Sequence, residues 1–129
     1  MKKALSIIFM FITIGISICE IINSVMIKSV ENVKTDFFNV VCGKKEDGVD
    51  YGLLSRYDHS KDFEIKSVDD LNLEIDSVFH NSEEGYMNVV YSFDINKGSH
   101  GTGAYNINSK WYIKKVNNRW IVYDIDEAP

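Results

Sequence analysis

The sequence predicts an α+β domain in which one long N-terminal helix packs on a curved antiparallel meander of four to five strands. Three observations lead to this prediction: an apolar segment that continues into a helical stripe, alternating apolar and polar residues in the second half of the chain, and polar turns between the alternating runs. The 129 residues are 45% hydrophobic and 12% aromatic, with a single proline at the last position. This composition is typical of one packed domain rather than of a disordered chain.

The N-terminal segment has the layout of an export signal. Two lysines precede a run of uncharged, mostly apolar residues at positions 4–18. Such a segment enters the membrane and leaves its basic residues in the cytoplasm. We therefore expect residues 1–21 to be a signal peptide or membrane anchor of a bacterial protein. Residues 22–129 would then form a single α+β domain outside the cell membrane.

Three fates of this segment stay open. The apolar character resumes after Glu20 and reaches Ile27, so one helix could anchor the chain by crossing about 30 Å of hydrocarbon. Small residues suit cleavage after Ser17 or Cys19, which would give a secreted domain. A cysteine at the end of the run also suggests lipidation, but Ile18 stands where lipoprotein signals have a small residue. A single-pass anchor with the C-terminal domain outside is the favoured interpretation.

The charge of the exported part limits its partners. The chain after Cys19 contains 12 basic and 19 acidic residues and therefore has a net charge of −7. Nucleic acid and anionic lipid both attract clustered positive charge, so this balance disfavours them. We expect the chain to reach the membrane through its N-terminal segment and to bind a protein partner, with no nucleic acid involved.

The segment at positions 22–41 has helical periodicity. Its apolar residues recur at spacings of three and four, whereas charged residues such as Asp36 lie off the stripe. Gly43 is expected to end this helix in the left-handed conformation. Because the stripe follows the apolar segment almost without a break, the sequence predicts one continuous rod. The stripe consists of Ile22, Met26, Val30, Val33, Phe37 and Val41.

The rest of the chain is predicted to be a loop followed by strands. Residues 44–62 are polar around a small apolar cluster, which predicts a loop with one or two helical turns. Apolar residues then alternate with polar ones, as in half-buried strands. Asn117 and Asn118 predict a tight hairpin turn, because asparagine tolerates positive φ. The predicted strands cover residues 71–80, 87–95, 104–116 and 119–126.

The final hairpin, KWYIKKVNNRWIVYDI at residues 110–125, supports a family resemblance. A long strand, a short polar turn and a closing strand that begins with an aromatic residue resemble the ends of small exported proteins with the nuclear transport factor 2-like fold. The order of helix, irregular segment and meander over residues 22–126 is similar to that fold as well. The resemblance implies a cone-like sheet around a cavity, with the first helix across its inner face. It implies no catalytic residue, since this fold hosts isomerases, dehydratases, ligand carriers and assembly subunits.

Sequence motifs give no catalytic, cofactor or metal site. The loop KGSHGTG at residues 97–103 is glycine-rich like a phosphate loop, but a strand follows it instead of the helix N-terminus that binds phosphate. A flexible hairpin loop is the better interpretation. Ser99 and His100 are adjacent, which rarely orients a nucleophile against its base. His59, His80 and His100 are too widely separated for a local metal motif.

An isomerase of the cone type would need an inward carboxylate opposite a tyrosine or an acid. Asp94 and Asp124 both lie within predicted strands. Asp94, however, alternates with Tyr91 and Phe93, which belong to the expected buried set, and so faces outward. We therefore expect no enzyme activity, and a lyase or isomerase acting on a small apolar molecule is the alternative.

Aromatic residues of the final hairpin form the candidate interface. They occur on both faces of the hairpin, so we expect one face to pack in the core and the other to contact a partner. The prediction is a non-enzymatic interaction or ligand-holding domain outside the membrane. It would serve as an accessory subunit of an envelope assembly or as an immunity-type protein that neutralises a basic toxin. The candidate residues are Trp111, Tyr112, Trp120 and Tyr123.

Overall fold

The computed structural model describes residues 2–60, 65, 67–96 and 101–128. It confirms the predicted fold class: an N-terminal helical layer packs on a four-stranded antiparallel sheet whose strands pair in chain order, so the sheet is open. The sheet has an inner face, which the helices cover, and an outer face. Its elements are α1 (Lys2–Ser29), α2 (Glu31–Val41), a 3₁₀ helix (Gly52–Tyr57), β1 (Ser67–His80), β2 (Glu84–Asn96), β3 (Gly101–Val116) and β4 (Arg119–Glu127).

The predicted continuous rod is interrupted at one residue. α1 extends without a break from the apolar segment to Ser29, but Val30 has φ −109° and ψ 19°, which is outside helical geometry. Val30 N–H still donates to Ile27 O at 3.2 Å, and Val33 N–H donates to Val30 O at 2.9 Å. The Val30 side chain is fully buried. The interruption separates α2, which packs on the sheet, from α1, which continues away from it.

The C-terminus of α2 has the predicted glycine cap. Gly43 has φ +69°, Lys44 N–H donates to Asn39 O at 2.8 Å, and Gly43 N–H donates to Val40 O at 3.1 Å. These two bonds form a Schellman motif, and its left-handed residue is easiest for glycine. The cap turns the chain into the loop that leads to the 3₁₀ helix.

The inner core is built around Phe37 of α2. Its ring centroid lies 5.5 Å from those of Tyr57, Tyr91 and Trp111, which come from the 3₁₀ helix, β2 and β3. All four side chains are buried. The helical stripe is buried from Val30 onward, so the predicted core face is confirmed for α2. Ile22, at the start of the stripe, is 53% exposed because α1 leaves the domain there.

Polar contacts tie α2 to β4. The Asn32 side chain donates to Trp120 O at 2.8 Å and accepts from Trp120 N–H at 3.2 Å, as a neighbouring strand would do. Asp36 accepts hydrogen bonds from Asn32 and from the Arg119 guanidinium. Asp36 is buried, although it lies off the apolar stripe, because these donors compensate its charge.

A bulge redirects the first half of β3. Gly101 begins the strand three residues before the predicted start, and residues 97–100 of the glycine-rich loop lie outside the described residues. Asn106 has φ +48°, and its N–H donates to Ser92 Oγ at 2.9 Å. The pairing with β2 shifts register at this point. Tyr105 is consequently 78% exposed, although its spacing from Ile107 is that of an inward residue.

The last hairpin turns as predicted. Asn117 and Asn118 have φ +51° and +62°, and they connect β3 directly to β4. Positive φ at both central residues is the geometry of a type I′ turn, which matches the twist of antiparallel strands. The turn sets the pairing of Val116 with Arg119 and thus brings Arg119 to α2.

Candidate interaction surface and interior polar cluster

Four aromatic side chains cross the outer face of the sheet in a row, one from each strand. Phe79 pairs with Tyr86, and Tyr86 pairs with Tyr112. Successive ring centroids are 5.7, 6.4 and 6.4 Å apart. We call this row the aromatic strip, and its members are Phe79, Tyr86, Tyr112 and Tyr123.

Lysine side chains of β3 lie along the aromatic strip. Lys110 Nζ is 4.1 Å from the ring centroid of Tyr86 and 5.2 Å from that of Tyr112. Lys114 Nζ is 5.7 Å from the ring centroid of Tyr123. These are cation–π distances, and the ammonium groups stay at the surface. The outer face therefore presents aromatic rings and lysine ammonium groups together, with carboxylates such as that of Asp126 across the strands from them.

The four candidate interface residues divide between the two faces. Trp111 and Trp120 are buried on the inner face, where Trp111 packs against Phe37. Burial removes both tryptophans from the candidate interface and corrects that part of the prediction. Tyr112 and Tyr123 lie on the outer face, so one face of the hairpin is core and the other is surface, as expected.

Two members of the aromatic strip were not predicted from the sequence. Tyr86 could have been found, because it precedes the inward residue Met87 and so has outward parity. Phe79 could not, since a register shift between Ile75 and Ser77 reverses the parity of the end of β1. Phe79 is 63% exposed and extends the row of rings to the edge strand of the sheet.

The polar groups of the inner face form a second candidate site. Glu127 Oε1 accepts hydrogen bonds from Tyr91 Oη at 2.7 Å and from Tyr57 Oη at 3.4 Å. Ser109 pairs with Glu127 across β3 and β4. The Ser109 hydroxyl and the indole N–H of Trp111 are both buried, and neither has a hydrogen-bond partner in the described part of the chain. We call these five residues the polar cluster.

Both tyrosines of the polar cluster are held in their neutral form. Burial raises the pKa of Tyr91 far above its usual range, and the hydrogen bond to Glu127 raises it further. Burial is also the main reason that the pKa of Tyr57 is raised. The hydroxyls therefore act as donors to the carboxylate. Glu127 was missed because it follows the predicted last strand, although Ile125, two residues earlier, already indicated its inward parity.

The acidic residues considered for an isomerase site lie elsewhere. Asp94 is exposed on the outer face, as its alternation with Tyr91 and Phe93 predicted. Asp124 is also exposed, next to the register shift between Tyr112 and Ile113. Neither carboxylate belongs to the polar cluster.

The histidines do not assemble a site among the described residues. His80 Nε2 lies 2.6 Å from Ser29 Oγ, and the His80 ring is 4.5 Å from that of Trp120. His59 is 6.1 Å from the ring of Phe93. His100 lies outside the described residues. Within the described ranges, no three His, Cys, Asp or Glu residues are grouped closely enough to hold a metal ion.

Most of the exposed large apolar side chains among the described residues lie on α1. Residues Lys3–Ser29 form a helix long and apolar enough to cross a membrane, and its most apolar part has no buried residue. Where α1 meets the sheet, an apolar groove borders the aromatic strip. The groove is lined by Cys19, Ile22, Asn23, Met26, Val78 and Phe79.

No family model matches the chain, and no curated protein or solved structure matches it either. Among the described residues, the exposed apolar helix, the aromatic strip and the polar cluster are the features that bear on function.

Proposed function

We propose that this protein is a non-enzymatic interaction or ligand-holding domain, tethered by α1 to the outer side of a bacterial cell membrane. The supporting observation is the exposure of apolar side chains along α1, for example 71% for Phe9 and 67% for Phe11. Removing such surface from water is favourable by about 25 cal/mol per square ångström, so α1 gains free energy when hydrocarbon or another apolar surface covers it.

The charge around α1 supports this orientation. Basic residues precede the apolar run, and basic residues that flank a membrane segment favour the cytoplasmic side. This arrangement supports a position outside the membrane for the domain of net charge −7. α1 also continues through both candidate cleavage sites to Ser29 and packs against β1, which favours retention over release. A secreted, cleaved form is the alternative.

The interior supports binding rather than catalysis. The space between α2 and the sheet, where a cone-like fold would hold a cavity, contains Phe37 and the rings packed against it. The aromatic strip, in contrast, is partly exposed and offers a contact surface. An accessory subunit of an envelope assembly and an immunity-type protein both fit these features. The proposal includes the resemblance of the order of helix, irregular segment and meander to the nuclear transport factor 2-like fold.

The second candidate function is a lyase or isomerase acting on a small apolar molecule. The polar cluster favours it, because Glu127 faces two protonated tyrosines inside an apolar layer. We would titrate the full chain with small apolar ketones and follow the fluorescence of the buried Trp111. Saturable quenching that Glu127→Gln abolishes would support this candidate. Absence of any quenching would remove it.

The tether is tested by topology and extraction. Alkaline phosphatase fused after residue 129 is active only outside the cytoplasm, so we expect high activity and a protein that resists carbonate extraction. Ile12→Arg should shift the protein out of the membrane, since a central arginine costs about 3 kcal/mol on insertion scales, while the matched Ile12→Leu should not. An inactive fusion, or release of the unaltered protein by carbonate, would contradict the proposal.

Intact mass separates the three fates of the N-terminal segment. Retention gives the mass of the whole chain, ordinary cleavage removes 17 or 19 residues, and lipidation leaves a chain that begins with an acylated Cys19. We expect the mass of the whole chain.

A further inference from the structure

Three contacts trace the path of α1 past the sheet. Ser29 lies against His80, whose ring packs on the buried Trp120 at the inner face. Asn23 Nδ2 lies 3.4 Å from the backbone carbonyl of Asp76, at the free edge of β1. Farther toward the N-terminus, Cys19 shares the apolar groove with Phe79, whose side chain belongs to the outer face. α1 thus crosses the edge of the sheet from the inner side and leaves toward the outer side.

The length of α1 sets the level of the outer face relative to a membrane. From Lys3 to Cys19 the helix rises about 24 Å, and to Ile22 about 29 Å, at roughly 1.5 Å per residue. The hydrocarbon layer is about 30 Å thick, so its outer boundary falls near these residues. Cys19 and Ile22 are the residues that border Phe79. The aromatic strip begins at the depth of the headgroup layer.

The composition of the aromatic strip suits that layer. Tyrosine concentrates at membrane interfaces, where the ring meets apolar material and the hydroxyl stays in water, and lysine extends its ammonium group toward phosphate. Lys110 and Lys114 partly offset three carboxylates that lie across the strands from the lysines or from Tyr112, namely those of Glu84, Asp124 and Asp126. Two ammonium groups and three carboxylates give this part of the surface a net charge of 2 − 3 = −1, whereas the chain after Cys19 carries −7.

We infer that the aromatic strip docks on the lipid headgroup layer, so that the outer face of the sheet lies on the membrane and Lys110 and Lys114 contact lipid phosphates. This inference rests on the proposed tether and names the partner of the outer face. The tether supplies a high effective concentration, so a contact too weak to hold a free domain is sufficient. The helix side of the domain then faces away from the membrane and remains open to protein partners.

The rate at which lysines are acetylated in a membrane tests the docking. The full chain is reconstituted as one copy per nanodisc of phosphatidylcholine and phosphatidylglycerol and treated with a water-soluble acetylating reagent. Lys44 is exposed in the loop after α2, on the helix side, and serves as the internal reference. We expect Lys110 and Lys114, each measured relative to Lys44, to react about fivefold or more slowly in nanodiscs than in micelles of a detergent with sugar headgroups, because only the lipid headgroup layer holds their ammonium groups. Their contacts with the strip tyrosines are present in both samples.

Matched variants separate docking from folding. Tyr86→Ser combined with Tyr123→Ser should abolish the difference between nanodiscs and micelles in the acetylation of Lys110 and Lys114. The comparison between the two samples matters here, because the variant also removes a cation–π partner of each lysine. Tyr105→Ser should not, although Tyr105 is 78% exposed, because the β3 bulge places it outside the strip. Tryptophan fluorescence of each variant checks that Trp111 and Trp120 remain buried. If the double variant unfolds, Phe79→Ser replaces it with the same expected result.

Any other result of the acetylation experiment would refute the docking, and each result would show why. Acetylation rates of Lys110 and Lys114, relative to Lys44, that are the same in nanodiscs as in micelles would refute it while leaving the tether intact, since the protein would still be incorporated. Protection that appears only with two copies per disc would identify a second copy of the chain as the partner. Protection that appears only in native membranes would identify a different protein. Failure to enter nanodiscs at all would refute the tether itself.

Discussion

Replacing Phe37 with alanine removes the ring at the centre of the inner core. Phe37 is fully buried, and three aromatic rings lie with their centroids 5.5 Å from its own. Phe→Ala in a core costs about 3–5 kcal/mol, and each aromatic pair adds about 0.5–1.5 kcal/mol beyond area burial. We therefore expect a loss of about 4–5 kcal/mol, which is a large part of the 5–15 kcal/mol typical of a domain.

Urea unfolding of the full chain in detergent micelles measures this loss. The fluorescence of Trp111 and Trp120 reports the transition, because both are buried. Phe38→Ala is the matched control: Phe38 is the next residue but only partly buried, with Lys34 Nζ 5.7 Å from its ring centroid. We expect it to cost about 1 kcal/mol. The dependence of the free energy of unfolding on urea should not change.

The Phe37→Ala variant also tests whether the Phe37 ring fills the space between α2 and the sheet. Its cavity would be lined by aromatic rings and should bind benzene, which would raise the urea midpoint of the variant but not of the native chain. A cost below about 2 kcal/mol, or one equal to that of Phe38→Ala, would refute the central role of Phe37. Stabilisation of the native chain by benzene would show that the interior already contains a binding cavity.

Three further predictions concern the tie to β4, the polar cluster and the last turn. Arg119→Ala leaves the Asp36 carboxylate buried without its cation, so urea unfolding should show a loss of about 1–3 kcal/mol, and no loss would mean that water already satisfies Asp36. Because folding raises the pKa of Tyr57 and Tyr91, their contribution to stability is present below the unfolded tyrosine pKa and is lost as pH rises above it. The free energy of unfolding should fall above about pH 10, by up to about 1.4 kcal/mol per pH unit for a tyrosine that stays protonated in the folded state. Tyr91→Phe should reduce that slope in titrations of thermal stability, and an unchanged slope would contradict the assignment. Asn118→Ala should lose about 1–2 kcal/mol and Asn118→Gly little or nothing, and equal losses on thermal unfolding would argue against a left-handed turn.

Local chemistry made several elements predictable from the sequence. The Schellman end of α2 depends on Gly43 and the backbone groups within one turn of it. The hairpin turn depends on Asn117 and Asn118 alone. The alternation in β2 placed Asp94 outward, because successive side chains of a strand point to opposite faces. Each of these features depends on a few residues that are neighbours along the chain, and the sequence shows directly which residues those are.

Long-range packing decided the features that bear on function. We interpret the interruption at Val30 as a result of packing: the change in backbone direction lets α2 bury its apolar face against the sheet, whereas a straight continuation of α1 would not. Asp36 is buried because the last turn brings Arg119 to it from 83 positions away. The polar cluster likewise forms only when β4 brings Glu127 to Tyr91.

The sequence by itself determined the apolar N-terminal helix, the order of helix and meander, and the net charge of the domain outside that helix. The tertiary structure decided that Trp111 and Trp120 are core, and that Tyr112 and Tyr123 join Phe79 and Tyr86 in one strip. The physical reason is register. A single extra residue at a bulge changes which side chains align across strands, and the balance of backbone pairing and core packing over the whole sheet sets where such bulges fall.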